Sequence, residues 1–125
     1  MARKHASWFL KKISIIKEGS SNRDLDPKQK FSDNYFSQAY ARLHRKQPSH
    51  TITTSFLNPG SGRFIHYRDK RSITVREAAR LQSFDDSFVF YGTFASQERH
   101  VGNAVPPLMS LAWANHIANI LGKTS

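Results

Sequence analysis

The chain has 125 residues, of which 38% are hydrophobic, and its 19 Lys and Arg outnumber nine Asp and Glu to give a formal net charge of +10. This length predicts one domain with a modest core, and a spread of positive charge along the chain predicts a polyanion, nucleic acid, as partner in preference to an anionic membrane. The lack of cysteine excludes disulfides, thiolate metal sites and a thiol nucleophile on this chain.

The first third of the chain carries few strong signals. Apolar residues in 6–17, among them Trp8, Phe9 and Ile13, predict a short helix or a docking segment. Lys11 and Lys12 interrupt this run, so we expect no signal peptide, no membrane span and a cytoplasmic location. Residues 18–33 are polar and predict a loop, whereas 34–43 fit either a helical turn or a strand.

Residues 50–67 have the pattern of a β-hairpin. The segment 50–54 is β-branched and alternating, which favours a strand. The Asn-Pro-Gly-Ser-Gly run at 58–62 is a turn signal, and 63–67 is predicted to be the return strand. Together they predict a hairpin with a wide loop.

Two helices are clearly marked in the second half. Thr74 and Glu77 form an S/T-x-x-E capping box, which predicts a helix start, and this helix is expected to end before Phe84. Residues 84–94 are rich in aromatic side chains and predict a loop that covers the core.

The last helix is predicted to start at Pro106 and Pro107 and to end at Gly122, with Lys123 near the negative end of the helix dipole. Its apolar stripe comprises Leu108, Leu111, Ala112, Ala114, Ile117, Ala118 and Leu121.

Common catalytic patterns are missing from the sequence. The six histidines include no H-x-x-x-H pair, so no metal site is expected. Asp85 and Asp86 are adjacent and suit a turn better than an acid/base pair, and no serine lies in a G-x-S-x-G elbow. The glycines at 60 and 62 lack the Lys-Ser/Thr of a phosphate-binding loop.

Two segments resemble ordered motifs of one enzyme family. Residues 71–84, RSITVREAARLQSF, resemble the ninth motif of the DNA cytosine-5 methyltransferases, and 102–107, GNAVPP, resemble the tenth. Upstream, 40–44 (YARLH), 48–54 (PSHTITT) and 62–66 (GRFIH) resemble the end of the family's target-recognition region. The resemblance covers roughly residues 20–121 in the family's order. It implies a division into 1–33 (N-terminal segment and loop), 34–73 (end of the recognition region) and 74–125 (ninth and tenth motifs with the last helix).

The resemblance implies an α+β fold: the small domain of a cytosine-5 methyltransferase, with a β-hairpin or small sheet and several helices. The last helix would pack on a large α/β domain that this chain lacks. In the family, that large domain binds S-adenosylmethionine and carries a Pro-Cys nucleophile, and the target cytosine is flipped out of double-stranded DNA. Without cysteine, this chain would act only as part of a larger enzyme.

Individual roles also follow from the resemblance. Thr51 corresponds to a family Thr that contacts a DNA phosphate, and Thr53, Arg63 and Arg71 are further expected DNA-facing residues. Arg76 matches an Arg that organises the recognition region. The expected cofactor-binding residues are Asn103 and Ala104, and Glu77 and Gly102 belong to the same motifs as structural residues. Phe84-Asp85-Asp86 replaces the usual Phe-Pro-Asp, which is expected to loosen a turn without loss of function.

Two functional hypotheses therefore stand. The chain is a small subunit or the C-terminal portion of a cytosine-5 methyltransferase, or it is a DNA-binding or regulatory remnant without activity. A helix-turn-helix protein is disfavoured because no two predicted helices are joined by the required tight turn.

Overall fold

The computed structural model describes residues 4–31 and 36–122. The described residues form four α-helices: α1 (Ser7–Ser14), α2 (Val75–Leu81), α3 (Phe94–Asn103) and α4 (Pro107–Ile120). Two short 3-10 turns lie at Asn22–Asp24 and Pro59–Ser61. The predicted helices near 6–17, after Thr74 and after Pro106 are confirmed, whereas α3 was not predicted. The end of the predicted loop at 32–33, residues 34–35 and Lys123 lie outside the described residues.

The predicted β-hairpin and the α+β class are wrong. The part of the chain that the structure describes has no strand, only isolated bridges from Ile65 to Arg42 and to Ser72. The backbone around Ile65 pairs with 41–43 on one side and with 71–73 on the other, so these two segments take the places that the prediction gave to 50–54. The intervening chain is instead taken up by a turn at 54–57 and by the 3-10 turn that begins at Pro59. The described chain is thus helical, with extended segments that do not form a sheet.

Two apolar clusters hold the fold together. The larger one comprises Ile52, Phe56, Leu57, Phe64, Ile73, Val75, Ala78, Ala79 and Val101. The smaller one joins α1 to the middle of the chain through Phe9, Ile13, Ile16 and Ile65. The larger cluster therefore packs α2 and α3 against the extended segment that contains Ile52.

A buried guanidinium connects the end of α1 to the loop at 66–69. Arg42 is 4% exposed and donates from Nε to the carbonyl of Ile16 (2.7 Å) and from Nη2 to that of Ile13 (2.7 Å). Its Nη1 donates to the carbonyls of His66 (2.6 Å) and Asp69 (2.9 Å). Burial lowers the pKa of Arg42 from its ordinary value. Four main-chain acceptors therefore take the place of water around this side chain.

The aromatic segment at 84–94 covers the core only in part. Phe84 and Phe90 pack against the larger cluster, as predicted, but Phe88 and Tyr91 are exposed. Asp85 accepts hydrogen bonds from the amide (2.8 Å) and hydroxyl (2.5 Å) of Ser87. The turn that lacks the family's Pro is therefore held by an aspartate side chain.

Helix α4 is apolar and exposed. None of its residues is buried, and its large apolar side chains lie in solvent: Leu108, Met109, Leu111, Trp113, Ile117 and Ile120. At 3.6 residues per turn these positions occupy most of the helix circumference. The apolar surface therefore also includes Met109, Trp113 and Ile120, which were not part of the predicted stripe. Such a helix is normally enclosed by other elements. No helix among the described residues is long and apolar enough to cross a membrane.

Candidate DNA and cofactor interface

The segment at 51–53 presents two hydroxyls to solvent. Thr51 and Thr53 are exposed, and Ile52 between them lies in the larger core cluster. Burial alternates along the segment, as it does where successive side chains point to opposite sides. Thr53 Oγ1 also accepts a hydrogen bond from the amide of Ser55 (3.4 Å). The buried Ile52 therefore fixes both threonines outward.

Arg63 is half-buried and donates to partners within the chain. Its Nη1 donates to the carbonyls of Gly19 (2.6 Å) and Arg42 (2.8 Å), and its Nε to Gln38 Oε1 (3.1 Å). Burial lowers its pKa from the ordinary value. The same side chain lines an open cleft of about 430 Å³ together with His44 and His50. Arg63 thus braces three segments and borders a polar cleft that is also lined by His50.

Arg71 forms a two-pronged ion pair with Glu77. Its Nη1 and Nη2 donate to Glu77 Oε2 (2.7 Å) and Oε1 (2.8 Å), and Nη2 also donates to Asp69 (2.8 Å). Glu77 Oε2 accepts the amide of Thr74 (2.7 Å), and Thr74 Oγ1 accepts the amide of Glu77 (3.2 Å). The predicted capping box is therefore confirmed and is extended by Arg71.

This cluster holds Glu77 in its charged form. The hydrogen bonds from Arg71, followed in effect by those from Thr74, outweigh partial burial and lower the pKa of Glu77 to about 2. Nearby His66 has its pKa lowered by burial and then by the charge of Arg71. His66 Nδ1 accepts the amide of Asp69 (2.9 Å), which fits a neutral imidazole.

Acid is expected to weaken this cluster. A carboxyl whose pKa falls from 4.5 to about 2 on folding stabilises the fold above its ordinary pKa and loses that effect as the pH falls from about 4.5 to 2. Because Glu77 is partly exposed, we expect Glu77→Gln to cost about 2 kcal/mol of unfolding free energy at neutral pH.

Urea unfolding of the two proteins across the pH range measures this effect, and their difference should shrink below pH about 4.5. Arg71→Gln removes the other partner, so the double variant should cost clearly less than the sum of the single ones. Parallel pH profiles for the wild type and Glu77→Gln would contradict the assignment.

Arg76 reaches forward along the chain. Its Nη2 donates to the carbonyl of Phe88 (2.7 Å), its Nη1 to that of Asp85 (3.3 Å), and the guanidinium lies 5.8 Å from the centre of the Phe90 ring. These contacts hold the aromatic segment against α2. Its predicted role in organising the recognition region stays a prediction.

The GNAVPP segment lies where α3 ends and α4 begins. Gly102 and Asn103 are the last residues of α3, and Ala104 continues in extended conformation. Asn103 is exposed and Ala104 half-buried. Gly102 lies directly on the backbone of Thr53 and Thr54. The structure therefore joins the predicted cofactor-facing segment to the predicted DNA-facing one.

Three further residues support this arrangement and were not singled out from the sequence. The first is Arg42, described above. The second is Glu98, whose Oε1 accepts a hydrogen bond from the amide of Leu57 (2.7 Å), and the third is Gln82, whose Nε2 donates to the carbonyl of Val101 (2.8 Å). A Glu within a polar stretch gives no sequence signal for such a partner. Among residues 4–31 and 36–122, no three His, Asp or Glu side chains are grouped so that they could hold a metal ion.

Comparison with known proteins defines the class. Residues 3–119 match the family model described as C-5 cytosine-specific DNA methylase, and the chain belongs to this family. This confirms the resemblance read from the ninth and tenth motifs at the level of the family.

The chain is similar to several named methyltransferases. It is 37% identical over 116 residues to the type II methyltransferase M1.HphI of Haemophilus parahaemolyticus, covering 93% of this chain and 30% of the relative. It is 40% identical over 98 residues to the type II methyltransferase M.NgoFVII of Neisseria gonorrhoeae (76% and 25%). It is 39% identical over 85 residues to the DNA (cytosine-5-)-methyltransferase M.ApeKI of Aeropyrum pernix (68% and 18%). The chain thus spans less than a third of the length of these relatives.

Proposed function

We propose that the chain is the C-terminal portion, or a separate small subunit, of a DNA (cytosine-5-)-methyltransferase. The complete enzyme would transfer the methyl group of S-adenosylmethionine to C5 of cytosine in duplex DNA. The observation that carries this proposal is a family match over residues 3–119 in a chain without cysteine. This chain would contribute DNA backbone contacts and close the cofactor site, and a catalytic domain or subunit would contribute the nucleophile.

The division of labour follows from the chemistry of the family. Its reaction begins when a cysteine thiolate adds to the cytosine ring. This chain contains no cysteine and therefore no thiol. The flipped base must leave the duplex to reach that thiolate. The proposed role of this chain is to hold the duplex while the base is out.

Thr51 and Thr53 are the proposed direct contacts to DNA phosphates. Both threonines are exposed on a segment anchored by Ile52, and phosphate contacts of this kind set the position of the protein on the duplex. Arg63 and Arg71 are proposed to face DNA as well, while their hydrogen bonds within the chain brace the fold. The net charge of +10 favours the duplex independently of its sequence.

Asn103 and Ala104 are the proposed cofactor contacts. The exposed carboxamide of Asn103 can both donate and accept hydrogen bonds, which suits the polar groups of S-adenosylmethionine, and Ala104 would pack beside it. When bound, that cofactor supplies the methyl group. Most of its binding site would lie on the catalytic domain.

The surface of α4 supports the need for such a domain. A helix that is apolar around most of its circumference and has no buried residue leaves a large area of apolar surface in water. In the complete enzyme this surface would be covered by the catalytic domain. The remnant hypothesis offers no partner for it.

A segment exchange tests the proposal. This chain would replace the 116 matching residues of M1.HphI, and transfer of tritiated methyl groups from S-adenosylmethionine to long duplex DNA of mixed sequence would be measured. We expect transfer by the exchanged enzyme, with the label found at cytosine C5. M1.HphI without the matching residues and this chain alone should both be inactive.

Two results would contradict the proposal. An exchanged enzyme that is folded and binds S-adenosylmethionine, yet transfers no methyl groups, would favour the non-catalytic DNA-binding remnant. Methyl transfer by the isolated chain would show that its chemistry does not depend on a cysteine from a partner.

A further inference from the structure

We infer that α3 sets the distance between the DNA-facing threonines and the cofactor-facing Asn103, with Gly102 and Glu98 as positioning residues. This inference rests on the proposed function. It assigns neither residue a contact with DNA, cofactor or the reacting atoms. Both act through the segment at 51–57, to which α3 is fixed.

Gly102 provides the closest contact. A Cβ at this position would lie 2.6 Å from the carbonyl carbon and oxygen of Thr53 and 2.6 Å from Cα of Thr54. All three are backbone atoms, which cannot rotate away as the end of a side chain can. Only glycine leaves room for the backbone of Thr53 and Thr54 to approach α3 this closely. Any larger residue must push α3 away from the segment at 51–57, called the threonine segment below.

Glu98 provides the second contact, one turn earlier on α3. Its Oε1 accepts the amide of Leu57 at 2.7 Å, which ties the end of the threonine segment to the helix. Between the two contacts, Val101 of α3 and Ile52 belong to the same buried cluster. Backbone contact, apolar packing and a hydrogen bond thus attach the segment at three points.

The two proposed ligand contacts lie very near these attachment points. Asn103 follows Gly102 directly, and Thr51 precedes Thr53 by two residues. Because packed interiors transmit small displacements, a methyl group at position 102 should alter the spacing between Thr51 and Asn103. The spacing between a bound duplex and a bound methyl donor would change with it.

Kinetics of the exchanged enzyme test this inference. For Gly102→Ala we expect kcat to fall by up to about 100-fold, as for a displacement of the order of 1 Å, while KM for DNA and for S-adenosylmethionine each change less than about threefold. Glu98→Ala should lower kcat in the same way. Glu98→Gln keeps an acceptor oxygen for Leu57 and should retain most of the activity.

Controls separate positioning from a loss of folded protein. Ala95→Ser adds one atom to an exposed position of the same helix and should leave kcat unchanged. Thermal unfolding is followed for each variant, and kcat is measured again at lower temperature. A deficit caused by unfolding should disappear on cooling, whereas a positioning defect should persist.

The inference is overturned if folded Gly102→Ala keeps the full kcat. If the exchanged enzyme with the unaltered chain transfers no methyl groups, the proposed function fails instead. In that case, amide hydrogen exchange on the isolated chain still tests whether Glu98 and Gly102 fix the segment at 51–57 to α3: Glu98→Ala and Gly102→Ala should speed exchange at Leu57, and unchanged exchange in both would overturn that attachment.

Discussion

Replacement of Arg42 by alanine is expected to cost about 3–5 kcal/mol of unfolding free energy, a large part of the stability of a domain of this size, because buried carbonyls lose a donor. The side chain is 4% exposed and donates four hydrogen bonds to main-chain carbonyls of α1 and the loop at 66–69. Without it these carbonyls lose a charged donor in a buried place, and the hydrogen-bonded link from the end of α1 to that loop is lost. Circular dichroism during heating should show a midpoint lower by roughly 10–20 °C.

Arg45→Ala is the matched control. Arg45 is 60% exposed and pairs with Glu18 at 3.0 Å, so its loss should lower the unfolding midpoint much less than the loss of Arg42 does. Arg42→Lys keeps the charge but not the fork of donors, and it should lie nearer to Arg42→Ala than to the wild type. Equal midpoints for Arg42→Ala and Arg45→Ala would show that the buried hydrogen bonds add little.

In the proposed enzyme, a charge on α4 is expected to weaken docking to the catalytic part strongly. Trp113 is 60% exposed and contributes to no core cluster among the described residues. Trp113→Asp should therefore leave the stability of the isolated chain within about 0.5 kcal/mol. Burial of an unpaired carboxylate at the interface should weaken association by about 100-fold or more. Titration calorimetry with M1.HphI that lacks the matching residues measures this.

Trp8→Asp is the control for that experiment. Trp8 has the same exposure of 60% but lies on α1, where its ring contacts Phe9 and Phe31. Its replacement should affect thermal unfolding and leave association unchanged. Undiminished association of Trp113→Asp would show that a different surface binds the catalytic part.

Local signals in the sequence were sufficient for some elements. The capping box at Thr74 and Glu77 predicted the start of α2, and the two prolines predicted the start of α4, because both depend on interactions within one turn of helix. The hairpin was wrong because β-branched residues indicate an extended backbone but not its partner. Ile65 pairs with 41–43 and 71–73, and nothing in the sequence of 50–67 identifies either segment as its partner.

Helix α3 was missed because its sequence, FASQERHVGN, is polar and contains a glycine near its end. A usable signal was present in Thr93, whose side chain accepts the amide of Ser96 and caps the helix start. The importance of Gly102 depends on the approach of a backbone about fifty residues away, which no local pattern records. The hydrogen bonds that Arg63 and Arg71 make within the chain could not be predicted either, because composition gives the number of charges but not their partners.

The bare surface of α4 has a thermodynamic consequence for assembly. A helix of 14 residues with none of them buried against the described part of the chain is only marginally stable in water. The amide of Leu108, near its start, donates to Ser83 Oγ (3.1 Å). Ordering of α4 and contact with the catalytic part would therefore occur together, as coupled folding and binding. Association should then show a large negative heat-capacity change and a substantial entropic cost.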